Sequence, residues 1–165
     1  MTDPVRTTTL FIAAISLGLM AGLFYGYAGS VMPALRRADD HTVIDVMQRI
    51  NVAIQNPLFG LLFTGALIAT GVAAFQQFSA GHTAVWVPLV IGLVLYLATM
   101  AITFGVNIPL NNRLAAAGPA RGIADPQRVR GEFFDRWVRA HHQRTLTCTG
   151  AFAAIVWSLI AYGQI

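Results

Sequence analysis

Four long apolar runs separated by short polar segments set the plan of this chain, at about residues 8–32, 58–78, 85–106 and 145–162. Each is close to the length of roughly 20 residues that a helix needs to cross the hydrocarbon core of a bilayer. The first run is too long for the hydrophobic part of a cleaved signal peptide and is expected to stay as a helix. Pro33 follows it as a stop. Between the first two runs, Asp39 or Asp40 offers an N-cap, and Val43, Val46, Met47, Ile50 and Ile54 recur at helical spacing. This segment reads as an amphipathic helix on the membrane surface, with Gln48, Asn51 and Gln55 as a separate polar stripe.

Asn56 and Pro57 open the second span as cap and first-turn proline. The brief link at Ala80, Gly81 and His82 makes spans two and three an antiparallel hairpin. Span three runs into NIPLNN, where Asn107 and Asn111 share a face and Pro109 breaks or bends the helix. Residues 113–124, rich in Gly, Ala, Pro and Arg, read as an irregular loop. Asp125 and Pro126 then start a helix whose apolar stripe of Val129, Phe133 and Trp137 continues into His141 and Arg144. Within WVRAHHQRT, His141 shares the inner face with Trp137 and Arg144, while His142 joins Asp135 and Arg139 on the outer one. The expected fold is all-α, a four-span transmembrane bundle with an amphipathic surface helix between spans one and two, forming one domain over residues 1–165.

Composition agrees with that plan. The chain is 56% hydrophobic and 11% charged, far below the roughly 25% charge of soluble domains, and its mean hydropathy is +0.61. The single Cys148 excludes an intrachain disulfide and a cysteine-based metal cluster. All 11 basic residues are Arg. Only Arg6 lies on the side of the termini. The positive-inside rule therefore predicts a bacterial-type plasma-membrane protein with both long loops cytoplasmic and both termini outside. Six of the seven acids lie on the same side as the other arginines, and anionic headgroups account for the net charge of +4 without a nucleic-acid partner. In the first span Ala14, Gly18, Gly22, Gly26 and Ser30 recur every fourth residue. The Gly18, Gly22 and Gly26 face suits close helix approach, in a homo-oligomer or a larger membrane complex.

Signatures of soluble enzymes are missing: no Gly-rich phosphate loop, no HExxH, no GxSxG. His41, His82 and the adjacent pair His141 and His142 lie in different segments, so no metal and no cofactor is expected. The topology instead brings Asn51, Asn56, Asn107, Asn111, Trp137, His141 and Arg144 to one end of the bundle. Each alone has an ordinary reading, as a helix cap, a snorkelling Arg or an interfacial Trp. Polar groups from several segments at one membrane level point to a wet cavity or a binding site. Trp137, Phe133 and Phe59 would stack on a flat apolar molecule, the Asn side chains and Arg144 would donate to its oxygens, and His141 would act as general base. The anion of a polycyclic phenol or anthrone reacts with dioxygen directly.

The ordered motifs GLMAGLFYGYAGSVMPALRR, MQRINVAIQNPLF, NIPLNNRLA and WVRAHHQRT resemble the anthrone-oxygenase-like family of small four-helix membrane proteins. The resemblance runs from about Gly18 to Thr145 and singles out Pro33, Leu35, Asn51, Asn56, Pro57, Phe59, Asn107, Pro109, Asn111, Trp137, His141 and Arg144. It implies a membrane oxygenase or oxidoreductase that needs no cofactor and acts on a hydrophobic aromatic, anthrone- or quinone-like molecule. In that role His141 and Arg144 would be catalytic. Asn51, Asn56, Phe59, Asn107, Asn111 and Trp137 would bind the substrate. Two other readings stand beside it: an accessory subunit docked through the glycine face, and a carrier of a small hydrophobic molecule.

Overall fold

A computed structural model describes residues 3–165, and among these there is no strand. Five helices carry the chain: α1 (Pro4–Arg36), α2 (Asp40–Ala53), α3 (Pro57–Ser79), α4 (Thr83–Ala116) and α5 (Pro126–Tyr162). All but α2 are long and apolar enough to cross a membrane. This is a four-span integral membrane bundle. At 1.5 Å per residue the longest helices reach roughly 50 Å, well beyond a hydrocarbon core of about 30 Å. Their extra turns project at the end that carries α2.

Polar caps start the helices where the sequence places them. Asp39 accepts from the Thr42 amide, Asn56 from the Phe59 amide and Asp125 from the Arg128 amide. Such bonds satisfy N–H groups that a helix start leaves unpaired.

Pro33 does not stop the first helix. Residues Tyr27–Val31 form a π turn, in which the Met32 amide bonds the Tyr27 carbonyl, and α1 runs on to Arg36. The same device recurs in α4, where the π turn Thr103–Asn107 precedes Pro109 and the Ile108 amide bonds the Thr103 carbonyl. A proline inside a helix removes one N–H and crowds the preceding turn. The widened turn makes room for the ring, so the helix continues past it. Residues 113–124 are also more regular than expected: α4 persists to Ala116, and a 3-10 turn covers Ala120–Gly122.

Two packed regions result. Within the spans, Leu10, Leu17, Met20, Leu89, Tyr96 and Ile155 are buried. Since lipid is as apolar as these side chains, close fit and interhelical hydrogen bonds hold the spans together. A Cβ on Gly92 would lie 3.2 Å from the Ala151 carbonyl oxygen, and one on Gly18 would lie 3.1 Å from the Phe152 ring. Tyr96 Oη donates to the Phe63 carbonyl and Ser158 Oγ to the Val85 carbonyl, both at 2.8 Å. The stripe that contains Gly18 is therefore used partly inside the chain, whereas Gly22 and Gly26 are exposed.

At the charged end a second core joins Met32, Leu35, Val43, Ile44, Met47, Leu114, Phe133 and Phe134. The apolar face of α2 thus packs on the projecting turns of α1, α4 and α5, with Val43, Ile44 and Met47 fully buried against protein. Two polar clasps lock it there. Arg130 donates to the Arg36 and Ala38 carbonyls and to the Asp40 carboxylate. Gln48 donates to the Leu114 and Gly118 carbonyls at 2.9 Å. A cavity lies between these turns and the upper bundle.

Candidate functional site

The cavity has a volume of about 330 Å³ and sits at the level of the two π turns. All four spans and α2 contribute to it: Phe24 and Tyr27 from α1, Asn51 from α2, Phe59, Gly60 and Phe63 from α3, Thr103 to Asn111 in part from α4, and Trp137, His141 and Arg144 from α5. Of the eight residues expected to form a site, Asn51, Asn56, Phe59, Asn107, Asn111, Trp137, His141 and Arg144 all line it. Phe133 lies behind Trp137, with ring centroids 6.3 Å apart, and belongs to the second core.

His141 is fully buried and both ring nitrogens are occupied. Arg144 Nε donates to His141 Nδ1 at 3.1 Å. Guanidinium N–H groups only donate, so Nδ1 presents its lone pair and the imidazole proton sits on Nε2. That N–H in turn donates to the Phe24 carbonyl at 3.1 Å. The Trp137 ring stacks on the imidazole at 5.0 Å and 15°. The other histidine of the pair, His142, is exposed on the outer face.

Arg144 is 9% exposed. Its guanidinium carbon lies 4.6 Å from the centroid of the Phe24 ring and 5.1 Å from that of Trp137. Among the described residues no carboxylate pairs with it, and the ion pairs present are all formed by other arginines. A cation at membrane depth without a counter-ion is costly. The aromatic faces offset part of that cost, and the fork of terminal N–H groups is left for an acceptor.

The asparagines divide into two kinds. Asn56 is a cap: its Oδ1 accepts from the Phe59 amide and its Nδ2 donates to the Ala53 carbonyl. Asn111 Oδ1 accepts from Trp137 Nε1 at 2.8 Å and holds the indole. Asn107 and Asn51 retain free groups. Asn107 is 1% exposed; its Nδ2 donates to the Trp137 carbonyl, and its Oδ1 is buried with no partner. Asn51 Nδ2 is likewise buried and unpartnered. Buried polar atoms of this sort are rare in proteins and ask for an explanation.

Sequence reasoning missed Phe24 and Tyr27, which face His141, and Phe63 and Phe104, which form the apolar wall with Phe59. Phe24 acts through a backbone carbonyl and a ring face, neither of which leaves a mark in a pattern of apolar residues. The available signal lay in Pro33 and Pro109, each of which follows a widened turn, although Pro88 sits in α4 without one. The donors here are amides, imidazole and guanidinium. Among the described residues no three His, Cys, Asp or Glu side chains gather where they could hold a metal ion. The arrangement can bind a flat apolar molecule and stabilise negative charge on one of its oxygens.

No curated protein and no solved structure matches this chain. The profile of a family described as Anthrone oxygenase matches residues 51–154, more than half of the chain and a stretch containing all eight expected site residues. GLMAGLFYGYAGSVMPALRR, with Phe24 and Tyr27, lies outside the matched stretch. The chain belongs to the anthrone oxygenase family.

Proposed function

We propose that this protein is a membrane oxygenase that oxidises a hydrophobic aromatic molecule of the anthrone type at the cavity between its helices, with the charged end of the bundle facing the cytoplasm. The observation that carries the reading is Arg144: a cation without a carboxylate partner, set against two aromatic rings in an otherwise mostly apolar cavity. Such a group favours the enolate form of a bound ketone. Stabilising charge that develops during reaction is a large contribution in many enzymes.

The chemistry balances without further reagents. Loss of a proton from the methylene opposite the anthrone carbonyl gives the enolate, whose oxygen meets Arg144. The electron-rich ring transfers one electron to dioxygen, and recombination of the radical pair forms a carbon–oxygen bond. The peroxide anion takes back the proton held by His141, and the resulting hydroperoxide loses water and leaves the quinone, so one dioxygen becomes one carbonyl oxygen and one water. His141 is the proton acceptor. Its Nδ1 lone pair is held by Arg144 at rest and becomes available when the guanidinium turns to the substrate oxygen. The stacked Trp137 and the walls of Phe59, Phe63 and Phe104 hold the polycycle.

Dioxygen uptake with anthrone by the purified protein, monitored together with formation of anthraquinone, tests the reading. Uptake above the spontaneous rate, lost in Arg144→Met, supports it. Binding of the ligand without any uptake would leave the cavity a carrier site.

A further inference from the structure

We propose that Asn107 reads a hydroxyl group on the ligand and that the cavity thereby selects hydroxylated aromatics over their ethers. The inference rests on the ligand-binding reading of the cavity and adds a specificity-determining residue to it.

The amide of Asn107 can point only one way. Nδ2 donates to the Trp137 carbonyl oxygen at 3.3 Å, and the reversed amide would set two oxygens against each other. Oδ1 therefore turns from that carbonyl, buried and unpaired, on a residue that lines the cavity. Its position follows from the backbone. The π turn Thr103–Asn107 ends on this residue. Compared with an unbroken α-helix, such a turn rotates the downstream residues by roughly 100° about the helix axis. Pro109 follows two residues on. Trp137, whose carbonyl orients the amide, is itself held by Asn111 through its indole N–H. The acceptor is thus fixed by two helices.

Two other polar groups among the residues of the cavity wall are complementary. Arg144 and Asn51 Nδ2 offer N–H donors, whereas Asn107 Oδ1 is an acceptor without a partner. A ligand that satisfies all three presents acceptor oxygens to the first two and an O–H to the third. A phenol with a ring carbonyl meets that description. A methyl ether at the same position leaves Oδ1 unpaired and brings a second lone pair towards it. Sites built to bond a hydroxyl reject analogues lacking it more sharply than apolar pockets reject a changed methyl group.

The test uses 2-hydroxyanthraquinone and 2-methoxyanthraquinone, which are already quinones and are bound without turnover. Their free hydroxyl or ether has no neighbouring carbonyl to bond internally. Binding to the full chain in nanodiscs is read from tryptophan quenching, in mildly acidic buffer that keeps the hydroxyl protonated. The expected result is about a tenfold or greater preference of the wild type for the hydroxyl compound. In Asn107→Ala the preference falls to about twofold or less, because the acceptor is gone. Comparing ratios cancels differences in partition between the two compounds. Equal binding of both by the wild type overturns the proposal whatever the variant does, and leaves the ligand-binding reading in place. A preference that persists in Asn107→Ala also overturns it. If neither compound binds, both readings fall.

Discussion

Arg144 Nε sits 3.1 Å from His141 Nδ1, and that contact makes the imidazole a support for the guanidinium before it is anything else. Two roles for His141 follow, and two variants separate them. Gln in place of His141 can still offer an oxygen to Arg144 but cannot take a proton, so base catalysis predicts His141→Gln and His141→Ala equally slow, by about 10²-fold or more. A positioning role alone predicts recovery in His141→Gln. Arg144→Met should abolish anthrone-dependent dioxygen uptake while raising thermal stability in detergent by about 1 kcal/mol or more, because a buried charge without a counter-ion is removed. A variant both slow and less stable would mean that the guanidinium is structural.

Gly60 predicts the route of entry. It is exposed, lines the cavity beside Phe59, and a Cβ there meets nothing within 4 Å. Phe104 and Ile108 on the facing helix are exposed as well. A polycycle dissolved in the bilayer would pass between α3 and α4 here. Gly60→Trp should fill that opening without straining the backbone, lowering uptake about tenfold or more, whereas Gly60→Ala should leave it nearly unchanged and slightly favour the helix. Full activity with Trp at this position would place the entrance elsewhere.

These relationships are legible to different degrees in the sequence. The spans follow from the apolar runs, and the caps at Asn56 and Asp125 follow from Asn–Pro and Asp–Pro, whose local chemistry depends on no distant contact. The meeting of Asn51, Asn107, Trp137, His141 and Arg144 at one level follows from counting sides. What each does there does not. Asn56 and Asn111 have the same side chain as Asn107, yet one caps a helix and one grips an indole; only tertiary packing decides which oxygen is left over. Pro33 and Pro109 read as an end and a bend because proline lacks the amide N–H and crowds the preceding turn, and nothing local in the sequence marks the π turns that precede them. Helix α2 reads as lying on lipid because its periodicity says that one face is buried and not against what. Met32, Leu114 and Phe134 provide the answer.

Gln48 predicts a local loosening. Its amide bonds the carbonyls of Leu114 and Gly118, just where α4 ends and Gly118 takes φ +85°. Gln48→Ala leaves both without that donor, at a cost of about 1–3 kcal/mol. The effect should concentrate in the 113–122 connection. Limited trypsin digestion after Arg121 should speed up several-fold, with the spans intact. Unchanged digestion would show that water replaces the amide without loss.

Helix α2 should respond to acid at its start. Thr42 Oγ1 donates to Asp39 at 2.6 Å and the Thr42 amide at 3.0 Å, and these bonds hold the carboxyl below its ordinary 3.8. A group whose folded value is depressed stabilises the fold fully above its unfolded value and loses that contribution as the pH falls through the folded one. Amide exchange at Thr42 and Val43 should therefore accelerate as pH falls below about 4, beyond the intrinsic pH dependence of exchange. Asp39→Asn should remove that dependence and keep the cap.

Gly92 predicts the tightest tolerance in the membrane part. Helices α4 and α5 make the most extensive contact in the bundle, and a Cβ at residue 92 would stand 3.2 Å from the Ala151 carbonyl oxygen and 3.6 Å from Ala154 Cβ. The first neighbour is backbone, in the middle of a helix, and cannot swing aside as a side-chain end would. Gly92→Ala therefore sets two opposed effects against each other. Ala favours the helix by about 1 kcal/mol, while separating the helices loosens the contacts along the seam, including the 2.7 Å Thr99–Thr147 hydroxyl pair. Overpacking of this kind costs about 1–3 kcal/mol. The sum should be a net loss of thermal stability in detergent, larger for Gly92→Val. The cavity lies about three turns along the same seam, so uptake in surviving protein should fall less than stability does. Gly71, where a Cβ meets open space, provides the comparison. Gly71→Ala should be neutral or stabilising, and equal behaviour of the two variants would mean that α5 can shift away from α4 without loss.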